Sequence, residues 1–210
     1  MNVDFQTLIS SPTFAYAEGL KFFRGEGMLN DALKNLTDAL DRNEIEYAMI
    51  GAVALNNHGY RRFTEDIDLL LARSGLEKFT AKLVGLGYRP AFTGATRKFR
   101  TTAENIPVEI ITSGEYPGDG LPKKVQFPNP AEFFVVIDGV NTISLEKLIE
   151  LKLASGMTAP HRLKDLADVQ ELIKIKMLDK AYAEVLDEYV RPKFLELVAG
   201  VDKALRDGID

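Results

Sequence analysis

The chain has no cysteine and no tryptophan, and only two histidines, His58 and His161, in 210 residues. Without thiols there is neither a disulfide framework nor a thiolate metal site. Two imidazoles are too few for the usual zinc centre. Long apolar runs are missing too: "FFVVI" and "LLLA" fall far short of the roughly 20 residues that span a bilayer. No membrane-spanning helix is therefore expected. The start, "MNVDFQTLISS", lacks a basic segment followed by an apolar stretch, so no secretion signal is expected and a cytoplasmic location fits. Excess basic charge is also lacking. A net charge of −5 argues against a general nucleic-acid coat, whose affinity comes from neutralised phosphates. What is present is the composition of a soluble globular protein, 46% hydrophobic and 27% charged, long enough for one core with a helical appendage.

Apolar spacing divides the chain into three parts. Residues 1–30 hold one short helix, "TFAYAEGLKFF", in an N-terminal extension expected to pack on the core. In residues 31–143 an amphipathic helix, "LNDALKNLTDALDRN", leads into a buried strand, "IEYAMIG". A short helical stretch and a second strand follow, then the helix "GLEKFTAKLVGLGY" with Gly87 as its stop. Four segments, "ATRKFRTT", "IPVEIITS", "KKVQF" and "EFFVVIDGV", read as strands. Residues 144–210 read as helices only, ending in an amphipathic pair. The expected fold class is α/β (α+β), a mixed β-sheet with flanking helices and a helical C-terminal part.

Residues 50–71, "IGAVALNNHGYRRFTEDIDLLL", do not read as ordinary packing. Asp66 and Asp68 are two apart at a strand start, so both carboxylates point to one face. Side by side they repel, so they face water or something positive sits between them, either Arg62 or a divalent metal. Oxygen-only ligands suit Mg²⁺. Glu109, between Val108 and Ile110, supplies a third acid, and three acids on neighbouring strands suffice for one or two Mg²⁺ ions of the kind used in in-line phosphoryl or nucleotidyl transfer. Gly51 ends the preceding strand and lets an anion approach backbone N–H groups; Arg62 and Thr64 lie in the loop leading back to the acids. Arg61, Arg97, Lys98, Arg100, Lys123 and Lys124 join Arg62 in the middle third, as in a polyphosphate cleft or an ordinary solvated face. His58, at the end of the short helix, reads as a packing residue.

A second constellation lies in the helical part. In "SLEKLIELKLASG", Lys152 falls on the stripe of Leu145, Leu148 and Ile149, and in "RLKDLADVQELI", Asp165 shares a face with Leu166, Val169 and Leu172. An interhelical Lys152–Asp165 ion pair accounts for both. Arg162 and Lys164 read as exposed, with Lys164 and Asp168 as an i,i+4 surface pair.

Gly51-Ala52, thirteen intervening residues and Asp66-Ile67-Asp68 resemble the signature of the nucleotidyltransferase superfamily with the DNA polymerase β-like fold. Gly59, Arg62, Thr64, Asp66 and Asp68 match in register the string of its abortive-infection E toxin-like (AbiEii-type) bacterial members. Lys152 and then Arg162, Lys164, Asp165 and Asp168 match that group's later Lys and Arg-x-Lys-Asp-x-x-Asp. The resemblance covers residues 31 to about 175. It implies a Mg²⁺-dependent enzyme that moves an NMP from an NTP to an acceptor, which could be RNA such as tRNA, a protein or a small molecule. Asp66, Asp68 and Glu109 would be its metal-binding catalytic acids. Gly51, Ala52, Arg62, Thr64, Lys152 and Asp165 would be its nucleotide-binding set, Lys152 at the triphosphate with Asp165 orienting it. A toxin role with an antitoxin-like protein partner is implied as well. Two residues depart from the pattern: Ala52 stands where Gly or Ser is usual, and Glu109 where Asp is commoner. They leave open an alternative, a catalytically impaired module that binds nucleotide or a partner on the same fold.

Overall fold

The N-terminal residues fold as helices α1 (Phe5–Ile9) and α2 (Pro12–Phe22), and the computed structural model describes residues 4–208. Pro12 opens α2 at a position where no backbone N–H is needed. Phe5, Ile9 and Phe22 enter the main core, so the extension does pack on it. In α3 (Met28–Arg42), Leu29, Leu36 and Leu40 are buried as their spacing requires. The helix has a glycine at its N-cap, and the buried Glu18 of α2 accepts from Leu29 N instead.

The chain continues through β1 (Tyr47–Met49), α4 (Gly51–Asn57), β2 (Ile67–Leu71) and α5 (Arg73–Leu83). Five strands follow: β3 (Tyr88–Pro90), β4 (Lys98–Thr101), β5 (Pro107–Thr112), β6 (Phe134–Ile137) and β7 (Val140–Ile143). Helices α6 (Leu145–Thr158), α7 (Leu163–Lys176) and α8 (Arg191–Asp207) complete the fold. The sheet has seven strands in the order β3-β4-β5-β2-β1-β7-β6. It is mixed, with β2 parallel to β5, β1 parallel to β7, and the other pairings antiparallel.

Alternation on the central strands sends Ile67, Leu69, Val108 and Ile110 into one core, roofed by α3 and α5. Ala48, Leu70 and Ile143 face the other, built with α6, α7 and α8. The same alternation turns Asp68 and Glu109, register partners across β2 and β5, toward the face on which α6 and α7 pack. Among the described residues no helix is long and apolar enough to cross a membrane.

Four local expectations change. "KKVQF" is not a strand: it lies between Pro122 and Pro128, and only Phe127 makes ladder-like bonds, to Gly114 and Glu115. "EFFVVIDGV" is not one strand, because Asp138 and Gly139, both at positive φ, make the two-residue turn between β6 and β7. Helix α5 stops at Leu83, not Gly87, since Val84 is already extended and Gly85 turns the chain at φ +87°. The closing helical pair is one helix, α8, preceded by a 3₁₀ segment at Lys180–Val185.

Candidate functional site

Ile50 N donates to Asp68 O at 3.1 Å, which lashes the end of β1 to β2 just before the chain turns into α4. The turn is made at Gly51, whose φ is +59°. A Cβ there would overlap Asp68 Oδ2 and stand 2.8 Å from Asp68 Cγ, so both conformation and space demand glycine. The N–H groups of Gly51 and Ala52 open α4 and have no carbonyl four residues back within it. The Ala52 methyl is buried.

The loop back to β2 is held by Asn56, a residue with no motif to announce it. Its amide donates to Arg62 O (2.5 Å) and Ala52 O (2.8 Å), and it accepts from Arg62 N (3.0 Å). Arg62 is thereby aimed away from the two aspartates. Its guanidinium donates to Asp168 Oδ2 at 3.0 Å, so Arg62 is not the cation between Asp66 and Asp68. His58 is buried with Nε2 2.8 Å from Ile143 O, a packing role as expected.

Thr64 Oγ1 donates to Asp66 Oδ1 at 2.5 Å and fixes that carboxylate just before β2. Asp68 is pushed up to about 7, first by burial and then by the neighbouring charges of Asp66 and Glu109. Glu109 has an ion pair with Lys98, its cross-strand partner, at 3.4 Å. Both side chains are about half exposed, so that contact is weak and readily exchanged. Among the described residues no three His, Cys, Asp or Glu side chains already close at metal-binding spacing. The donor set nevertheless fits a hard divalent ion. It is oxygen-only, and its mutual repulsion falls on Asp68, where a cation relieves it.

The opposite wall comes from α6 and α7, brought close at Gly156, where a Cβ would sit 2.5 Å from Leu166 Cγ. Lys152 Nζ donates to Asp165 Oδ1 (3.0 Å) and Asp168 Oδ2 (2.7 Å). The interhelical pair is therefore present but is part of a larger network. Ser155 Oγ (2.7 Å) and Arg162 Nε (3.0 Å) also donate to Asp165 Oδ2. Burial alone would raise the Asp165 carboxyl, but Lys152, Ser155 and Arg162 outweigh it and hold it below the usual carboxylate range. Asp168 is buried, not paired on the surface with Lys164. One of its oxygens takes both Lys152 and Arg62, tying the loop before β2 to the helical part.

These pieces enclose a cleft of about 410 Å³. Gly51, Ala52, Arg62, Thr64, Asp66, Asp68, Glu109, Lys152 and Asp165 all line it. So do Glu115, Tyr116, Ser155 and His161, which carry no motif; Glu115, Tyr116 and His161 come from irregular or single-turn segments that periodicity does not reach. Its lining carries the acids Asp66, Asp68, Glu109, Glu115 and Asp165 together with the cations Arg62, Lys152, Arg162 and Lys164.

The fold has solved counterparts. The antibiotic-resistance factor ANT(2″)-Ia, solved in complex with adenylyl-2″-tobramycin, shares 18% identity with this chain at a TM-score of 0.52, over 78% of this chain and 95% of its own. The Thermotoga maritima protein TM1012 shares 17% identity at a TM-score of 0.48, over 65% of this chain and 89% of its own. The first shows that the mixed sheet and its helices share a fold with ANT(2″)-Ia. No curated protein matches the chain in sequence. The family model described as the nucleotidyl transferase AbiEii toxin of type IV toxin–antitoxin systems matches residues 31–204, from α3 almost to the end of α8, and the chain therefore belongs to the AbiEii family of nucleotidyltransferases.

Proposed function

We propose that the cleft moves an NMP from an NTP to an acceptor hydroxyl, with Asp66, Asp68 and Glu109 as the acids that hold Mg²⁺. The observation that carries this reading is the gathering of three acids and two cations, Arg62 and Lys152, in the lining of one cleft. The acceptor oxygen attacks the α-phosphorus, the bond to the bridging oxygen breaks, and pyrophosphate leaves. One or two Mg²⁺ ions at these acids would supply neutralisation of the charge on the phosphates. Arg62 and Lys152 stabilise the charge that gathers on the leaving pyrophosphate, aided by the backbone N–H groups of Gly51 and Ala52. Thr64 orients Asp66, and Asp165 orients Lys152. Glu109 is free to take the acceptor's proton once its weak contact with Lys98 opens. The acceptor class stays with the three candidates named above, and membership of a type IV toxin family supports an antitoxin as protein partner.

The test is pyrophosphate release from each of the four NTPs, with Mg²⁺ and with EDTA, in the presence of cell extract. Release that requires Mg²⁺ is expected; thermal stabilisation by Mg–NTP with no release would leave the binding-module alternative.

Asp68 adds a pH dependence. Its folded-state carboxyl lies near 7, above the ordinary 3.8, so the folded chain holds that proton more tightly than the unfolded one. Without divalent ion, its contribution to stability is fully present below about pH 4 and is lost as pH rises through about 7. Mg²⁺ must displace the proton, so apparent Mg²⁺ affinity is expected to fall by up to about tenfold per unit as pH drops below about 7. Thermal shift with a Mg²⁺ titration at pH 5.5 to 8.5 measures both trends. A Mg²⁺ affinity that is flat across this range would remove Asp68 from the binding set.

A further inference from the structure

The cleft is lined by apolar side chains as well as charged ones. Two residues beyond Asp68 and Glu109 on the same sheet face, β2 and β5 carry Leu70 and Ile111 in register. Ile111 lines the cleft together with Tyr116, Pro117 and Phe127 from the segment after β5, and Leu148 and Leu151 of α6. That segment, residues 113–133, has no helix or strand, yet it is braced throughout. Gly114 N donates to Phe127 O (2.8 Å) and Phe127 N to Glu115 O (2.9 Å). Gln126 Nε2 donates to the Tyr116 hydroxyl at 2.8 Å. Lys123 has its side chain buried within the segment, donates to Pro117 O (2.7 Å) and Asp119 Oδ1 (2.5 Å), and places Nζ 5.8 Å from the Tyr116 ring centroid. At Gly118 the segment abuts α6 so closely that a Cβ would overlap Thr158 Oγ1 and stand 2.9 Å from Ser155 O. Tyr116 is thus presented on a fixed wall.

Resting on the nucleotidyl-transfer reading, we infer that this apolar lining seats the nucleobase of the NTP, with Tyr116 as its stacking partner. An NTP carries its charge on the phosphates, which Arg62 and Lys152 of the same cleft suit. The base is the one planar, uncharged part of the substrate, and Ile111, Tyr116, Pro117, Phe127, Leu148 and Leu151 give the cleft an apolar lining that suits it. A ring held in place loses little freedom on stacking, so the contact adds to affinity with small ordering cost.

The experiment is calorimetric titration of the full chain, wild type, Tyr116→Ala and Tyr116→Phe, with Mg–NTPs and with Mg–triphosphate, the same anion without a base. Tyr116→Ala is expected to weaken the NTP about ten- to a hundredfold, more for purines than pyrimidines, and to leave triphosphate affinity unchanged. Tyr116→Phe is expected to keep the ring and the affinity. Equal loss for NTP and triphosphate would overturn the inference by making Tyr116 structural. Unchanged NTP affinity, with a loss only in the acceptor's KM, would overturn it by giving the apolar lining to the acceptor. If triphosphate and NTP both fail to bind the wild type, the nucleotide reading itself falls, an outcome distinct from either.

Discussion

Asp68→Asn is expected to reduce NMP transfer on the order of 10³-fold while raising thermal stability in metal-free buffer. The two directions have one cause. Asp68 is held beside Gly51 by the lash between Ile50 N and Asp68 O, and burial, Asp66 and Glu109 all oppose its charge. Asparagine keeps the shape and removes the repulsion, so under the proposed mechanism the site is expected to become more stable as transfer is lost. The gain is expected to be small at pH 4, where the unfolded carboxyl is itself about half protonated, and full above about pH 7. For a chain of this length a gain of about 1 kcal/mol is about 2–4 °C in Tm. Differential scanning calorimetry at pH 4 and 8, beside pyrophosphate release, checks both arms. Loss of activity together with loss of stability would mean that Asp68 is a structural residue.

Gly51→Ala is expected to damage stability and transfer together. A left-handed φ of +59° costs an alanine about 1 kcal/mol, and the new Cβ cannot fit without displacing the Asp68 carboxylate. A Tm drop of about 5 °C or more and at least a hundredfold loss of transfer are expected. Gly59→Ala is the control. Gly59 also has positive φ, +99°, but its Cβ would meet only Ile175 Cγ2 at 3.6 Å, so backbone strain alone applies. In an Asp68→Ala background Gly51→Ala should recover part of its stability cost and none of the activity. Equal effects at positions 51 and 59 would show that the contact with Asp68 is immaterial.

Local spacing made much of this legible. The turn at Gly51, the shared face of Asp66 and Asp68, and the inward Lys152 and Asp165 all follow from periods of 2 and 3.6 applied to short stretches. What was not legible depends on distant partners. Asp168 looks like a surface mate of Lys164 at i,i+4, but α7 is buried along the edge that carries both Asp165 and Asp168. The partner that explains it, Arg62, lies 106 residues away. Tyr116 was invisible for another reason. A braced irregular segment has no period, and its hydrogen bonds to Gln126 and its contact with Lys123 have no signature in sequence. The same limit made "KKVQF" look like a strand: alternation was there, but neighbouring prolines left it without a ladder to join.

The most direct measurement is a paired labelling of the wild-type chain with Mg²⁺ and extract, using NTP carrying ³²P at the α-phosphate in one arm and at the γ-phosphate in the other. Nucleotidyl transfer in this cleft requires α-label in a macromolecular or small-molecule acceptor, γ-label only in pyrophosphate, and loss of both signals in Asp66→Asn and Asp68→Asn. Gamma-label in the acceptor, or α-label transferred undiminished by the two aspartate variants, would contradict it.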